Sequence, residues 1–407
     1  MTAPSPPART VSGRYRVQEP IGSGGFGSVW RATDEEGGAD VAIKFPRTDE
    51  NDSNDASEVR SRFRNEYDVL DRFESALSPT SVVRYVDGRR TDPAYLVLEY
   101  VDGRELTDRL ADGTVEPGLD TARRFGFPVI RALEFLHRNG TCYLDCKPEN
   151  VLVRDRDDAP VLIDFNTAEP ATEAETLFYE DDYKAPEQVP TDDRAAGPGP
   201  RSDVYAAGKL LCYLLTGTTL PTTETPTDGI AVDEHGASPP SEIARILQRA
   251  TAADPHSRPA DAGALLTELY RACGRDASTV ELVPEGTDVV CPVRPDETVG
   301  RVTDVPELPD VGVADDRRYV SPIQFRIERD DTSWLIRDRS LNGTYVADGE
   351  DWRRLLSAEG ERRLKRESPE SLPAEGPYRA ARIRETTVIA PVDPSYARIR
   401  VETAVDD

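Results

Sequence analysis

Tyr143-Leu144-Asp145-Cys146-Lys147-Pro148-Glu149-Asn150, followed fourteen residues later by Asp164-Phe165-Asn166, is the stretch whose reading decides the fold. Its first half sets an acceptor (Asp145), a cation (Lys147) and an amide (Asn150) on one short loop. A short apolar strand, Val161-Leu162-Ile163, then delivers a second carboxylate at Asp164. Phosphoryl transfer uses this set. An acceptor holds the attacking hydroxyl, a cation meets charge building on the moving group, and carboxylate plus amide hold Mg²⁺ on the phosphates. Alone, D-x-K-P-x-N is also the composition of a solvated turn, so its reading depends on partners elsewhere in the chain.

Upstream lies Ile21-Gly22-Ser23-Gly24-Gly25-Phe26-Gly27-Ser28-Val29, flanked by strand-like residues. Glycines at 22, 24 and 27 let a hairpin backbone lie close over phosphates. The same G-x-G-x-x-G spacing serves dinucleotide sites, but those continue into a helix, and Val29-Trp30-Arg31-Ala32 reads as a strand. Val41-Ala42-Ile43-Lys44 is a second strand ending on a lysine. After an acidic connection over residues 48–57, Glu58 to Leu70 reads as a helix whose Val59, Phe63, Glu66 and Leu70 share a face. Glu66 on that apolar stripe either sits at its edge or turns inward to pair with Lys44. A buried carboxylate needs a partner, which favours the second.

With these residues in hand the chain resembles the eukaryotic-type (Hanks-type) protein kinase family, here of bacterial or archaeal kind. Gly22, Gly24, Gly27 and Val29 match its glycine loop, Val41 to Lys44 its V-A-I-K strand, and Glu66 its helix glutamate. Asp145, Lys147 and Asn150 match its catalytic loop, Asp164 its metal-binding aspartate, and Ala185-Pro186-Glu187 the close of its activation segment. Asp203 to Gly208 and Arg258-Pro259 match the helix of its larger lobe and the arginine partner of Glu187. The resemblance implies an α+β bilobal fold over residues 14–273, split into lobes 14–101 and 102–273, binding ATP and Mg²⁺ and acting on protein serine or threonine. It implies Lys44, Glu66, Asp145 and Lys147 as catalytic residues, with Asn150 and Asp164 on the metal. Leu98 stands behind the adenine, Glu99 to Val101 form the hinge, and Val29, Ala42 and Leu152 line the base, unless these four apolar residues are plain core. Arg123 to Arg138 and Ser202 to Leu215 read as helices of the larger lobe.

Three positions depart from the family pattern. Tyr143-Leu144 replace His-Arg, and leucine cannot clamp a phosphate. With Glu173, Glu175, Glu180, Asp181 and Asp182 on the segment, phosphate added at Thr167, Thr172 or Thr176 is expected not to be the on-switch. Asn166 replaces the glycine after Asp-Phe, where its tolerance of positive φ is expected to preserve the turn. Glu180 stands where the family usually has a threonine bonding Asp145 and Lys147. The alternative class is a pseudokinase or nucleotide-binding scaffold, which would usually lack Lys44, Asp145 or Asp164; all are present.

Beyond a linker at 274–279 the helical pattern gives way to short alternating strands, the signature of a β-sandwich over 280–404. Gly300-Arg301, Ser321 with Gln324, and Ser340-Leu341-Asn342-Gly343-Thr344 resemble the forkhead-associated (FHA) domain, an all-β sandwich whose loops bind phosphothreonine peptides. That implies Arg301 on the phosphate, with Ser321, Leu341 and Asn342 completing the peptide site. Pro322 and Gln324 replace a second arginine and a histidine. An insertion is read near 350–385, and Arg353 to Arg366, locally basic, as a helix either lying on the acidic kinase lobe or solvated. The threonine-rich stretch 216–227 reads as an exposed loop or as a phosphoacceptor cluster. Thr225 to Asp228 suits a Thr-x-x-Asp preference, so self-association through phosphothreonine is a further expectation.

The totals agree with this organisation. Residues 1–13, rich in proline and serine, read as disordered. No apolar run approaches membrane-spanning length and the N-terminus lacks a signal pattern, so a cytoplasmic protein is expected. The five cysteines, odd in number and scattered, fit a reducing compartment. Cys142 and Cys146 flank Asp145, either as packing residues or as a redox switch. Net charge is −26, and five of the 50 basic residues are lysine. Such acidity disfavours nucleic acid and anionic membrane as partners and points to a halophilic source.

Overall fold

The structure is a computed structural model. It describes residues 8–47, 53–74, 77–172, 182–189, 197–219, 226–302, 308–313, 315, 317–331, 333–349, 351–373, 378–384 and 386–403. Among them no helix is long and apolar enough to cross a membrane. The activation-segment residues Glu173, Glu175, Thr176, Glu180 and Asp181, and residues 220–225 of the threonine-rich stretch, Thr225 among them, lie outside the described residues.

The N-terminal lobe is built on a six-stranded sheet and one long helix. The strands are β1 (Thr10–Val11), β2 (Tyr15–Ser23), β3 (Gly27–Asp34) and β4 (Asp40–Pro46), then, after helix α1 (Ser53–Arg72) and the short β5 (Ser78–Pro79), β6 (Tyr85–Arg89) and β7 (Tyr95–Glu99). Their order in the sheet is β1-β2-β3-β4-β7-β6. Pro20 brings a register irregularity to the β2–β3 pair, as a residue without an N–H must in a ladder. Helix α1 begins at Ser53, earlier than the pattern predicts, and buries Val59, Phe63 and Leu70 on the stripe read from the sequence.

Strand β8 (Gly103–Glu105) opens the larger lobe. Helix α2 (Phe127–Arg138) follows, and then a hairpin of β9 (Val151–Arg154) and β10 (Pro160–Leu162). The expected helix from Arg123 is π-helical over Ala122–Gly126 before α2 begins. Pro128 accounts for the change, since it lacks an N–H and its ring crowds the carbonyl four residues back. Helices α3 (Pro200–Thr216), α4 (Ser241–Ala250) and α5 (Ala262–Ala272) complete the lobe, and Gly217 at φ 73° stops α3 in a left-handed cap.

The C-terminal module is two packed six-stranded sheets. Its elements are β11 (Val280–Pro284), β12 (Cys291–Val293), β13 (Thr298–Arg301), β14 (Val311–Val313), β15 (Phe325–Arg329), β16 (Trp334–Asp338), β17 (Thr344–Asp348), β18 (Asp351–Leu355), α6 (Ala358–Glu367), β19 (Ala380–Arg382), β20 (Thr386–Ala390) and β21 (Ile399–Thr403). One sheet runs β12-β11-β21-β20-β17-β18. The other runs β19-β16-β15-β13-β14-β5 and takes its last strand from the N-terminal lobe. Thus the stretch read as an insertion near 350–385 contributes an edge strand to each sheet as well as α6.

Two buried ion pairs join the modules. Arg131 of α2 meets Glu297 at 2.7 Å, and Glu134, one turn on, takes both terminal nitrogens of Arg294 at 2.7 and 2.8 Å. The Asn139 side chain exchanges two hydrogen bonds of 2.9 Å with the Val290 backbone. Thr80 N donates to Asp310 O at 3.1 Å beside the β5–β14 ladder. Helix α2 is therefore covered on both sides, by the larger lobe and by the sandwich. This explains why polar Arg131 and Glu134 are buried along with its leucines.

Candidate functional site

Lys44, at the end of β4, is held between two carboxylates. Its Nζ lies 2.7 Å from Glu66 Oε2 and 2.7 Å from Asp164 Oδ1. Glu66 is 1 % exposed, so it turns inward to the lysine and does not sit at the stripe's edge. Its other oxygen accepts from the Phe165 N–H at 3.3 Å, tying α1 to the loop that carries Asp164. Burial works against the Lys44 charge, but Glu66 and Asp164 outweigh it and lift the ammonium's pKa above its ordinary value.

The catalytic-loop residues form the adjoining cluster. Lys147 Nζ donates to Asp145 Oδ1 at 3.0 Å. Asn150 Nδ2 donates to Asp145 O at 2.9 Å and to Asp145 Oδ2 at 2.8 Å, which turns the amide oxygen Oδ1 the other way. The Ile163 N–H donates to Asn150 O at 2.9 Å, so the β9–β10 hairpin joins the two clusters. Around them, Ala42 pairs with Leu98 and Val41 with Glu99 across the sheet. Val29 and Leu152 are partly buried against the core that includes Ala42, Leu98 and Val101. Arg154 grips the Glu99 carboxylate at 3.0 Å on both oxygens.

Gly27 has a reason of its own: a Cβ there would lie 2.3 Å from the Phe45 carbonyl oxygen. Gly22 and Gly24 meet no such obstacle, and the Gly24 N–H donates to Gly27 O at 2.9 Å to close the turn.

Two of the three departures from the family pattern, Tyr143-Leu144 and Asn166, have physical accounts. The Tyr143 ring packs edge-on to Phe165 with centroids 5.2 Å apart, and its hydroxyl donates to the Ile163 carbonyl. Leu144 is buried, with φ 66°, and its carbonyl accepts from Gln188 Nε2 at 2.9 Å. The expectation for Asn166 changes. Positive φ falls on Asp164 (60°), not on Asn166, whose Nδ2 instead donates to Asp164 Oδ1 at 2.7 Å. Thr167 is buried, its hydroxyl donating to Tyr143 O at 2.8 Å, and so is no open acceptor.

Further support comes from the rest of the lobe. Glu187 receives both terminal nitrogens of Arg258 at 2.7 and 3.0 Å. Asp203 accepts from the backbone N–H of Tyr143 and of Leu144, and faces His137 Nε2 at 2.8 Å. His137 Nδ1 accepts from Ala262 N, so His137 and Asp203 of the His137–Cys142–Asp203 group are committed to hydrogen bonds within the lobe. Cys142 and Cys146 are buried, and burial pushes both thiols well above their ordinary range, which makes them packing residues and not a redox pair.

On the sandwich, Arg301 Nε donates to Val320 O at 3.0 Å. Gly300 lets that strand approach, since a Cβ there would lie 1.9 Å from Pro322 O. Ser321 Oγ accepts from the Leu341 N–H at 3.2 Å, and Asn342 Nδ2 donates to Tyr319 O at 3.0 Å. Leu341 and Tyr319 are among the large apolar side chains left exposed. All four expected residues thus border one set of loops.

Three residues brace this site with partners that the sequence did not assign. Gln324 is fully buried. It accepts from Ser321 N and donates to the Gly343 and Pro391 carbonyls and to Thr344 Oγ1, doing the bracing work of the absent histidine. Arg354 donates to Asn342 O, and Arg363 of α6 to Asn342 Oδ1 at 2.9 Å. The basic stretch 353–366 therefore packs on the Asn342 loop of its own module, neither on the kinase lobe nor simply in solvent. Its signal was the arginine density, with no clue to the partner.

Comparison with known proteins agrees with this geometry. The protein kinase domain family model matches residues 15–276, and the FHA domain model matches residues 298–366. Among curated relatives, probable serine/threonine-protein kinase pknA2 of Bifidobacterium longum is 29% identical over 279 residues, 65% of this chain and 35% of that protein. Serine/threonine-protein kinase PrkC of Bacillus subtilis is 31% identical over 273 residues, 61% of this chain and 39% of that protein. The chain thus spans little more than a third of these relatives' length. Of solved structures, the apo form of PpkA-294 superposes with a TM-score of 0.53 at 22% identity, covering 65% of this chain and 99% of that one, a likeness of fold. On this family match, the chain belongs to the protein kinase domain family and carries an FHA domain C-terminal to its two lobes.

Proposed function

We propose that this protein is an ATP- and Mg²⁺-dependent protein serine/threonine kinase whose FHA module reads phosphothreonine, and that it works in the cytoplasm. The catalytic module is taken as residues 14–273 and the reading module as 280–404. The observation that carries the kinase reading is the Glu66–Lys44–Asp164 chain set beside Asp145, Lys147 and Asn150. The relatives named above are serine/threonine-protein kinases, which supports the same reading. No residue that handles phosphate or metal is missing, so the pseudokinase alternative has nothing to favour it.

The donor set suits Mg²⁺. Asp164 offers a carboxylate and Asn150 an amide oxygen turned away from Asp145, and both are hard oxygen ligands. When bound, the ion would neutralise charge on the phosphates. Lys44, fixed by Glu66, would hold phosphate oxygens. Asp145 would accept the hydrogen bond of the substrate hydroxyl and then its proton, and Lys147 would meet charge on the transferring group. Glu66 acts through Lys44 and is a positioning residue.

The test is phosphate transfer from γ-labelled ATP with Mg²⁺ to a generic basic protein. Asp145→Ala should lower the rate by at least about a hundredfold. Transfer unchanged in that variant would overturn the reading. For the reading module, Arg301 would meet the phosphate, Ser321 and the Leu341 loop would complete its site, and Asn342 would hold peptide backbone. A second copy phosphorylated within residues 216–227 is one candidate ligand. Mass spectrometry after autophosphorylation that finds those threonines unmodified would remove it.

A further inference from the structure

Arg301 lines a cleft of about 870 Å³ whose opposite wall is the N-terminal lobe and hinge. Arg84, beside β6, belongs to that wall, and Arg318 joins Arg301 on the sandwich side. Most carboxylates around the cleft are already engaged. Asp34 pairs with Arg14 at 2.7 Å, Glu99 with Arg154 at 3.0 Å, and Asp315 accepts from the Val320 N–H and the Tyr396 hydroxyl. Among the described residues, the guanidinium groups of Arg84 and Arg318 and the terminal nitrogens of Arg301 have no carboxylate partner, while Asp102 and Asp315 have no cationic one. In a chain of net charge −26, a cleft lined by seven arginines against six carboxylates, three of those arginines without a carboxylate partner among the described residues, is the place where an anion would be received.

Two further features fix its shape. Arg84 is anchored to the hinge, its carbonyl accepting from the Glu99 N–H at 2.9 Å and its N–H donating to Glu99 Oε1 at 3.1 Å. Arg318 holds φ at 57°, a backbone conformation that non-glycine residues avoid unless their surroundings impose it. The Arg131–Glu297 and Glu134–Arg294 pairs, with the β5–β14 ladder, keep the two walls in register.

We infer that this cleft is a composite phosphopeptide site, in which the kinase wall supplies Arg84 to a ligand whose phosphothreonine sits on Arg301. The ligand is a phosphothreonine peptide with acidic residues, or a second phosphate, flanking the phosphothreonine. This rests on the phosphothreonine reading of the FHA module and goes beyond it, because it assigns part of the recognition to the other module.

The experiment uses the full chain and fluorescein-labelled phosphothreonine peptide pools with acidic or neutral flanks, each beside its unphosphorylated counterpart, read by anisotropy. Arg301→Ala should weaken binding of both phosphorylated pools by at least about thirtyfold. Arg84→Ala should weaken the acidic-flank pool by about fivefold and the neutral pool little, with an unchanged thermal midpoint because Arg84 is exposed. Arg84→Lys should recover part of the loss. If Arg301→Ala abolishes binding and Arg84→Ala changes neither pool, the composite site is wrong and the phosphothreonine reading stands. If the wild type binds no phosphorylated pool, both fall. Displacement of peptide by equimolar inorganic phosphate would show an anion pocket without peptide recognition and would also overturn the inference.

Discussion

Asp338 lies beneath the Asn342 loop, 3 % exposed, accepting from Ser340 Oγ at 2.8 Å, Thr344 Oγ1 at 2.7 Å and the Ser357 N–H at 2.7 Å. Burial outweighs these donors and pushes its carboxyl from 3.8 up to about 6. Because the folded value is raised, the folded state holds the proton more tightly than the unfolded one. The resulting stabilisation is full below pH 3.8 and is lost as pH climbs through about 6, a swing of about 3 kcal/mol. Urea unfolding of wild type and Asp338→Asn from pH 4 to pH 7 checks this. The wild type should lose stability relative to the variant as pH rises, and a flat difference would refute it. Leu144 supports a second prediction. With no arginine there and Thr167 sealed inside, Thr172→Ala with Thr176→Ala should leave phosphotransfer within about twofold of wild type, because Leu144 cannot supply the cation that would order an added phosphate. Loss of activity in that double variant would show that the segment is switched by phosphate after all. Of these residues, the Leu144 departure was legible from its position in a motif. Asp338 was not, because its burial and the Ser357 N–H, nineteen residues further on, come only with the folded module.

Helix α2 decides how the two modules meet. Its apolar residues Phe127, Ile130, Leu133 and Leu136 stand in the sequence at helical spacing, whereas nothing local names partners for Arg131 and Glu134. They are instead buried against Glu297 and Arg294, with charges reversed between the two pairs. Glu134→Ala would leave Arg294 buried without its carboxylate, at a cost of about 3–5 kcal/mol. Glu134→Arg combined with Arg294→Glu should recover part of that loss. Denaturant unfolding of the three proteins gives the comparison, and a Glu134→Ala variant as stable as wild type would show that the pair does not hold the interface. Strand β5 makes the same point from the backbone side. Two residues, Ser78 and Pro79, complete a sheet whose other five strands lie more than two hundred residues further along the chain.

Over the whole molecule, a net charge of −26 opposes compactness through self-repulsion. Raising salt from about 0.1 M to about 1 M shortens the screening length from roughly 10 Å to 3 Å. The thermal unfolding midpoint should therefore rise across that range. A midpoint that falls would show that attractive surface pairs, and not repulsion, dominate. Buried pairs such as Arg258–Glu187 and Arg294–Glu134 are shielded from salt and should be little affected.

The sequence by itself determined the family fold of each module and the residue types around Lys44, Asp145 and Asp164, because short-range spacing carries the chemistry of phosphate and metal. It also carried the strand and helix periods that bury one face. Only the tertiary structure decided that Glu66 points inward, that Asp164 and not Asn166 bears the left-handed backbone, that Gln324 and Arg363 brace the loop around Asn342, and that the modules share a sheet and a cleft. Each of those depends on partners far apart in the chain, and no local pattern records which distant group a buried charge or amide will meet.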